Sequence, residues 1–270
     1  LVPSDYMIQR LIENNSLQPL DKEMIPNLAN LAEGVKNLPY DPDNTYSAPY
    51  FWGDVGIVYN KNNVDLQDLE NEGYAILKNP KYKGKIYMYD SERDSFMVAL
   101  KSLGYSMNTD NEAEIEQAYQ WLKELNDTMD PIYVTDEVID GMMNGNKDLA
   151  VVYSGDAATI LSEDMAFFLP KEGTNIWSDA MVIPANAENP KLANEFINYV
   201  LTYDASYGNS EAVGYTSSNQ QVMDDMSGEG GLYEFNPAYL PRMGYEKDEV
   251  FEDNTVLKEK LSELWIKVKA

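Results

Sequence analysis

The chain has 270 residues, of which 46 are acidic and 20 are basic, so its formal net charge is −26. This charge repels a phosphate backbone and an anionic lipid surface, which excludes nucleic acid as a partner and disfavours an acidic membrane. Cysteine and histidine are both absent. Their absence excludes a thiolate nucleophile, a zinc site with Cys or His ligands and a Ser-His-Asp triad.

Short apolar runs alternate with helical patterns along the chain. Residues 1–8 read as the end of a strand that runs into a helix, with Ser4 as the N-cap. Further strands are predicted at 55–59, 85–89, 149–153, 165–169 and 180–183. Helices are predicted after Asn111, after the Asn189-Pro190 pair and over an apolar stripe at 256–268. This alternation predicts an α/β protein with largely parallel sheets. No apolar run reaches the roughly 20 residues that a membrane span needs.

Turn-rich stretches interrupt this pattern at 39–49, 171–177 and 228–241, and the first two are expected to cross between lobes. The segment Asp41-Pro42-Asp43-Asn44-Thr45 has the look of a calcium loop. An EF-hand, however, needs Gly at the sixth position and Glu at the twelfth, where this chain has Tyr46 and Trp52. The segment is therefore predicted to be a turn.

An acidic segment, 90–94 (Asp-Ser-Glu-Arg-Asp), follows the predicted strand 85–89 and precedes a helical pattern. Acids at the carboxyl end of such a strand lie where open α/β sheets bind ligands. Acids in the first turn of a helix also stabilise its dipole, by about 0.3–1 kcal/mol each. Both interpretations stay open on composition alone. The 20 tyrosines are mostly packing residues, although a few could line an aromatic slot for a cation.

A series of motifs runs in fixed order along nearly the whole chain. It includes VPSDY at 2–6, DPDN at 41–44 followed by YSAPYFWG at 46–53, NPKYKG at 79–84, the acidic segment through Phe96, LGYS at 103–106, PKEG at 170–173, WSD with IPANA at 177–187, and Gly214-Tyr215. The series resembles the spermidine/putrescine-binding family of ABC-transporter solute-binding proteins. The resemblance implies an α/β fold of the type II periplasmic-binding-protein class, with two lobes and a cleft between them. The family's N-terminal strand-helix-strand portion is not matched, so the first lobe is expected to be incomplete.

The same resemblance implies the lobe boundaries. Lobe 1 is expected to comprise 1–53 and 177–225, and lobe 2 to comprise 54–176 and 226–270 with a C-terminal docking helix. An incomplete first lobe would expose a sheet edge, so self-association through that edge is expected. The family implies an extracytoplasmic location, periplasmic or at the cell surface, with a lipoprotein anchor or a fusion outside this chain.

The resemblance also implies the ligand-binding residues. The Pro-Ser-x-Tyr stretch supplies Ser4 and Tyr6, and alignment on Phe96 makes Asp94 one of two acidic positions. The other position holds Ser91, a departure from the family, and the adjacent Asp90 is expected to substitute. Thr135 matches a cleft hydroxyl, and Asp179 matches a second carboxylate. The cleft aromatics are matched by Tyr153, Trp177 and Tyr215.

The implied function is capture of putrescine or spermidine and its delivery to ABC-transporter permease subunits, with neither catalysis nor a cofactor. Carboxylates pair with ammonium groups, and flat rings pack on the methylenes between them. A carboxylate-based glycoside hydrolase stays an alternative, and it needs two carboxyls roughly 5–5.5 Å or 6.5–9.5 Å apart. The same fold could instead bind a sugar, an amino acid or a metal ion.

Overall fold

The computed structural model describes residues 1–270, which divide into two compact units. Unit 1 comprises Leu1–Gly53, Ile176–Met243 and Val250–Asp253, and unit 2 comprises Asp54–Asn175, Gly244–Glu249 and Asn254–Ala270. The helices are α1 (Asp5–Glu13), α2 (Leu66–Glu72), α3 (Glu92–Ser102), α4 (Glu112–Met129), α5 (Glu137–Met143), α6 (Ser154–Ile160), α7 (Pro190–Val200), α8 (Tyr203–Val213), α9 (Gln220–Ser227) and α10 (Thr255–Val268). The strands are β1 (Leu17–Gln18), β2 (Ser47–Asn60), β3 (Ile86–Tyr89), β4 (Ile132–Val134), β5 (Leu149–Tyr153), β6 (Met165–Phe168), β7 (Ile176–Pro184) and β8 (Thr216–Ser217). None of the helices is both long and apolar enough to cross a bilayer.

The division differs from the lobes expected from the sequence by one residue at Ile176, which belongs to unit 1, and more widely after α9. The expectation assigned all of 226–270 to the second lobe, whereas 226–243 and 250–253 belong to unit 1. The physical reason is a buried cluster in which Tyr239 packs with Val222 and Met226 of α9. This cluster holds the segment after α9 against the helices of unit 1.

In unit 1, β7 is paired along its length with the start of the chain. Leu1 and Val182 exchange backbone hydrogen bonds of 3.1 and 2.9 Å, and Ala180 donates to the carbonyl of Pro3 at 3.1 Å. Further along, β7 pairs antiparallel with β1. Ile8 of α1 packs with Ala180 and Val182. The turn from residues 1–4 into α1 is therefore fixed against the middle of β7.

In unit 2, β3 lies between two parallel neighbours, β4 and β5. β5 then pairs antiparallel with the second half of β2, which also pairs antiparallel with β6. The prediction of largely parallel sheets was wrong, because the long strand β2 runs antiparallel to β5, to β6 and, in unit 1, to β8. β5 is buried along almost its whole length, as its continuous apolar sequence requires.

Helix boundaries follow the predicted capping residues. Asn111 precedes α4 and its side-chain oxygen accepts a hydrogen bond from the N–H of Ala113 at 3.0 Å. Asn254 was not singled out from the sequence, but it caps α10 in the same way, because its side-chain oxygen accepts a hydrogen bond from the N–H of Leu257 at 3.0 Å. The predicted apolar stripe of α10 is buried at its carboxyl end, but Val256 is 79% exposed because the first turn of the helix extends beyond the core.

The segment at 41–47 is a turn, as predicted. Asp41 is buried, and its carboxylate accepts hydrogen bonds from the backbone N–H groups of Thr45, Tyr46 and Ser47 at 2.8–3.0 Å and from the Ser47 hydroxyl at 2.7 Å. A carboxylate that accepts from its own loop in this way replaces backbone partners that a sharp turn lacks. The turn sets the position at which β2 begins.

Candidate functional site

Unit 1 holds a carboxylate, Asp179, where β7 meets the start of α1. The Ser4 hydroxyl donates to Asp179 Oδ1 at 2.6 Å, and the two residues form an antiparallel backbone bridge. The Ser4 side chain therefore does not cap α1. Burial raises the pKa of Asp179, the hydrogen bond from Ser4 opposes that shift, and no basic side chain contributes to it. Unit 1 thus presents a half-buried carboxylate without a cationic side-chain partner.

Aromatic rings surround this part of unit 1. Trp177 lies two residues before Asp179, so both side chains leave the same face of β7. The ring of Trp177 meets that of Tyr215 edge-on at 5.3 Å, and Tyr215 meets Phe51 in the same manner at 5.9 Å. Tyr215 follows Gly214, whose φ of 79° ends α8 in a left-handed turn. The expected residues Trp177 and Tyr215 are in contact with each other, and Phe51 is an addition that sequence reasoning missed.

A second, deeper carboxylate holds α1 on β7. Asp5 is 1% exposed; its Oδ1 accepts from the N–H of Tyr6 at 2.7 Å and its Oδ2 from the N–H of Ser178 at 3.3 Å. The half-buried Tyr6 is thereby fixed in the first turn of α1. Burial raises the pKa of the neighbouring Tyr40, and the carboxylates of Asp5 and Asp179 raise it further, so this phenol stays protonated. Neither Asp5 nor Tyr40 was singled out from the sequence.

Unit 2 holds the second expected carboxylate, Asp94, in the first turn of α3. Ser91 caps this helix, because its hydroxyl accepts from the N–H of Asp94 at 3.3 Å. The Tyr153 hydroxyl donates to Asp94 Oδ2 at 2.7 Å. Asp94 is 4% exposed, and burial raises its pKa against the opposing hydrogen bonds from Tyr153 and Ser91. The structure therefore brings Ser91, Asp94 and Tyr153 together.

Tyr89, at the end of β3, extends this group. Its ring packs edge-on against that of Tyr153 at 4.6 Å. Burial raises the pKa of Tyr89, and the carboxylates of Asp156, Asp136 and Asp94 raise it further. Sequence reasoning missed Tyr89 and Asp156. The signal was present, because Asp156 follows β5 into α6 just as Asp94 follows β3 into α3, and the carboxyl ends of parallel neighbours meet at one edge.

Two expected residues of unit 2 have other contacts. Asp90 is exposed, pairs with the ammonium of Lys269 at 2.5 Å and accepts from Nε1 of Trp265 at 3.3 Å. Thr135 is also exposed, and its hydroxyl donates to Glu137 at 3.1 Å. The charge of Asp90 is already neutralised by Lys269, and Asp94 rather than Asp90 is buried. No group of three or more acidic side chains is arranged to hold a metal ion.

Two α/β units, each with a desolvated carboxylate beside aromatic rings, are typical of proteins that bind a small solute. The sequence of residues 1–232 matches the family described as bacterial extracellular solute-binding proteins, and the chain belongs to that family. The spermidine/putrescine-binding periplasmic protein of Escherichia coli (strain K12) is 35% identical over 221 residues, which cover 81% of this chain. The resemblance to polyamine-binding members of the family is thus confirmed.

Solved structures agree with this assignment. A Listeria monocytogenes protein assigned to a spermidine/putrescine ABC transporter superposes with a TM-score of 0.86 at 34% identity, over 99% of this chain and 82% of that one. The substrate-binding protein PotD of the spermidine/putrescine ABC transporter of Streptococcus pneumoniae gives 0.77 at 30% identity, over 99% and 82%. The two-lobe α/β fold class expected from the sequence is confirmed. The chain spans 63% of the length of the first curated relatives that it matches.

Proposed function

We propose that this chain binds polyamines such as putrescine or spermidine outside the cytoplasm and delivers them to the permease subunits of an ABC importer. One observation carries the proposal: each unit holds a desolvated carboxylate, the half-buried Asp179 or the buried Asp94, that accepts a hydrogen bond from a neutral hydroxyl group, of Ser4 or of Tyr153. The names of the relatives in E. coli and S. pneumoniae support the choice of cargo. Those relatives are binding proteins, and we propose no catalytic step here.

The chemistry of a buried carboxylate favours a cationic ligand. A carboxylate that loses water without gaining an opposite charge is costly, and the raised pKa values of Asp94 and Asp179 reflect that cost. An ammonium group supplies the missing charge and donates charge-assisted hydrogen bonds. A sugar supplies no charge, and an anion would add to the repulsion. The neutral hydroxyls of Ser4 and Tyr153 orient the two carboxylates without competing for the cation.

The aromatic side chains suit the rest of the ligand. Methylene groups between ammoniums are apolar, and the faces of Trp177, Tyr215 and Tyr153 offer both apolar contact and a negative quadrupole. Each cation–π contact is worth about 0.5–2 kcal/mol. Phe51 and Tyr89 hold these rings edge-on, so little side-chain entropy is lost on binding. We include Asp156 in the proposed set because it is 8% exposed and faces Tyr89.

The proposal covers partners and location as the family suggests them. Members of the family are described as extracellular, and we propose an extracytoplasmic location for this protein. We propose permease subunits as its protein partner. Its attachment to the membrane is proposed to be a lipoprotein anchor or a fusion outside the 270 residues. Self-association through an open sheet edge stays a prediction.

The test is calorimetry on three variants, Asp94→Asn, Asp179→Asn and the double variant, with putrescine, spermidine and a neutral sugar as ligands. The expected result is one polyamine per chain, a loss of at least about a hundredfold in affinity for each single variant, and no heat with the sugar. The matched control is Asp43→Asn, an exposed acid of unit 1, which should bind as the wild type does.

The two single variants test the role of each carboxylate separately. Wild-type affinity in either single variant would refute the role of the carboxylate that it lacks. A sugar that raises the melting temperature, where polyamines do not, would refute the cargo class.

A further inference from the structure

Asn175 of unit 2 is buried with one of its polar atoms left without a partner. The residue is 2% exposed, and its side-chain oxygen Oδ1 is buried and accepts no hydrogen bond. Most buried polar groups in folded proteins are paired, because leaving one unpaired costs stability. A buried acceptor that the fold itself does not satisfy is available to a ligand.

The nitrogen of the same amide group contacts Asp94. The Asn175 side chain hydrogen-bonds to the Asp94 carboxylate, and because an ionised carboxylate only accepts hydrogen bonds, the donor is Nδ2. Oδ1 and Nδ2 are bonded to the same carbon, so the unpartnered oxygen lies beside the carboxylate. The Tyr153 hydroxyl also donates to Asp94, at 2.7 Å. Unit 2 therefore holds two acceptors side by side, a carboxylate and an amide oxygen.

The backbone next to Asn175 is fixed by a set of buried hydrogen bonds. The N–H of Thr174 donates to Asp248 at 2.9 Å, and the carbonyl of Thr174 accepts from the N–H of Glu249, also at 2.9 Å. The Thr174 hydroxyl donates to the carbonyl of Val55 at 2.6 Å. Asn175 itself forms a parallel bridge with Glu249. An acceptor on such a fixed backbone loses little freedom when a ligand binds.

A carboxylate beside an amide oxygen favours a cation that carries N–H groups. A primary ammonium group has three N–H donors, so it can donate to Asp94 and to Asn175 at the same time. A quaternary ammonium group has the same charge, and the rings of Tyr89 and Tyr153 would attract it as well, because an aromatic face attracts any cation. It has no N–H, however, and would leave Oδ1 of Asn175 buried and unpaired. A site built to hydrogen-bond one ligand rejects an analogue that lacks the donor.

We propose that Asn175 is a specificity-determining residue, whose Oδ1 accepts a hydrogen bond from the ammonium group that pairs with Asp94 and so selects protonated amines over quaternary ammonium ions. The inference rests on the proposed function, which supplies a cationic ligand for Asp94. The Asp94 carboxylate attracts the charge of the ligand, and the tyrosine rings contact any cation. Only the amide oxygen of Asn175 distinguishes a cation with N–H donors from one without them.

The test is Asn175→Leu, which keeps the approximate volume of the side chain and removes both of its polar groups. Calorimetry measures the affinity for putrescine and for its bis(trimethylammonium) analogue, which has the same two charges and no N–H. The matched control is Asn194→Leu in unit 1. Asn194 is 4% exposed, but its Oδ1 accepts from the N–H of Asp21 at 3.0 Å, and its amide nitrogen donates to the carbonyl of Pro190 at 2.8 Å. Urea unfolding of each ligand-free variant checks that it is folded.

The wild type should bind putrescine at least about tenfold more tightly than the analogue, a comparison that does not depend on any variant. Asn175→Leu should lose at least about tenfold in affinity for putrescine and change little in affinity for the analogue, so that the preference narrows. Asn194→Leu should keep the wild-type affinity for both ligands.

Failure of the inference can be told apart from failure of the proposed function. If the wild type binds putrescine and Asn175→Leu binds it equally well, only the inference is wrong. The same holds if Asn175→Leu loses affinity equally for both ligands, or if the wild type binds the analogue as tightly as putrescine. If the wild type binds neither ligand, the proposed function is wrong and the inference fails with it.

Discussion

At the scale of single residues, the decisive feature is a pair of carboxyl groups whose ionised form is destabilised in the folded protein. Burial raises the pKa of Asp94 and of Asp179 above the ordinary value for aspartate. In the unfolded chain each titrates at that ordinary value, about 3.9. Ionisation therefore costs stability in the folded state, and the cost grows as the pH rises from the ordinary pKa through the raised one. A bound ammonium reverses the balance, because it favours the ionised form.

The pH dependence of Asp94→Asn follows from this sign. The amide has no charge to desolvate and can still accept from Tyr153, so the ligand-free variant should be more stable than the wild type at neutral pH. The difference should shrink as the pH falls towards about 4, where the wild-type carboxyl is protonated too. Urea unfolding across this pH range is the measurement.

A matched control is Asp127→Asn on α4, whose carboxylate has a pKa lowered chiefly by hydrogen bonding to Lys123. Asp127→Asn should show no increase in the free energy of unfolding at neutral pH. If Asp94→Asn is less stable than the wild type at neutral pH, the inference that ionisation of Asp94 lowers the free energy of unfolding is wrong. Polyamine affinity of the wild type should likewise fall as the pH drops through the raised pKa values, because protonation removes the counter-charge.

At the scale of elements, strand-to-helix and turn-to-strand junctions do most of the positioning. Asp94 follows β3 into α3, Asp156 follows β5 into α6, and Asp179 lies on β7 beside the start of α1. Side chains at such junctions are set by the neighbouring regular elements and so lose little freedom on binding. Polar contacts hold the elements on either side of these junctions, and two of these contacts can be tested.

Asp41→Ala should destabilise the protein by on the order of 3 kcal/mol, because three backbone N–H groups, at least partly buried, and the buried Ser47 hydroxyl lose their acceptor. The free energy of unfolding in urea is the measurement. The matched control is Asp43→Ala in the same turn, where the side chain is exposed. Equal losses in both variants would indicate that the turn as a whole, rather than the Asp41 carboxylate, is what stabilises the start of β2.

Asp90→Asn tests the docking of α10. The ion pair with Lys269 is partly exposed on both sides, so its loss should lower the free energy of unfolding by about 0.2–1 kcal/mol. Polyamine affinity should be unchanged, because the charge of Asp90 is already paired. A large loss of polyamine affinity with unchanged stability would instead assign Asp90 to the ligand, as the resemblance first suggested.

At the scale of the whole molecule, the net charge of −26 should act on the rate of capture more than on affinity. A negative protein raises the local concentration of dications and steers them towards it. We expect the association rate for a polyamine, measured by stopped-flow fluorescence, to fall steeply between about 0.01 M and about 1 M salt. Over that range the Debye length shrinks from about 30 Å to about 3 Å.

The dissociation rate should change far less, because buried pairs are poorly screened. If salt changes the dissociation rate more than the association rate, the net charge does not act mainly by steering the ligand to the protein.

The amino-acid sequence by itself determined the α/β class, the helix cap at Asn111, the turn at Asp41 and the family, because each of these depends on local periodicity, local hydrogen bonding or an ordered series of motifs. Only the tertiary structure decided that Asp90 is neutralised by Lys269, that Asp156 and Tyr89 join Asp94, and that residues 226–243 pack with unit 1. These facts depend on contacts between residues as many as 179 positions apart. Local sequence constrains backbone conformation, but it carries no signal for which distant charge or ring will be brought beside a given carboxylate.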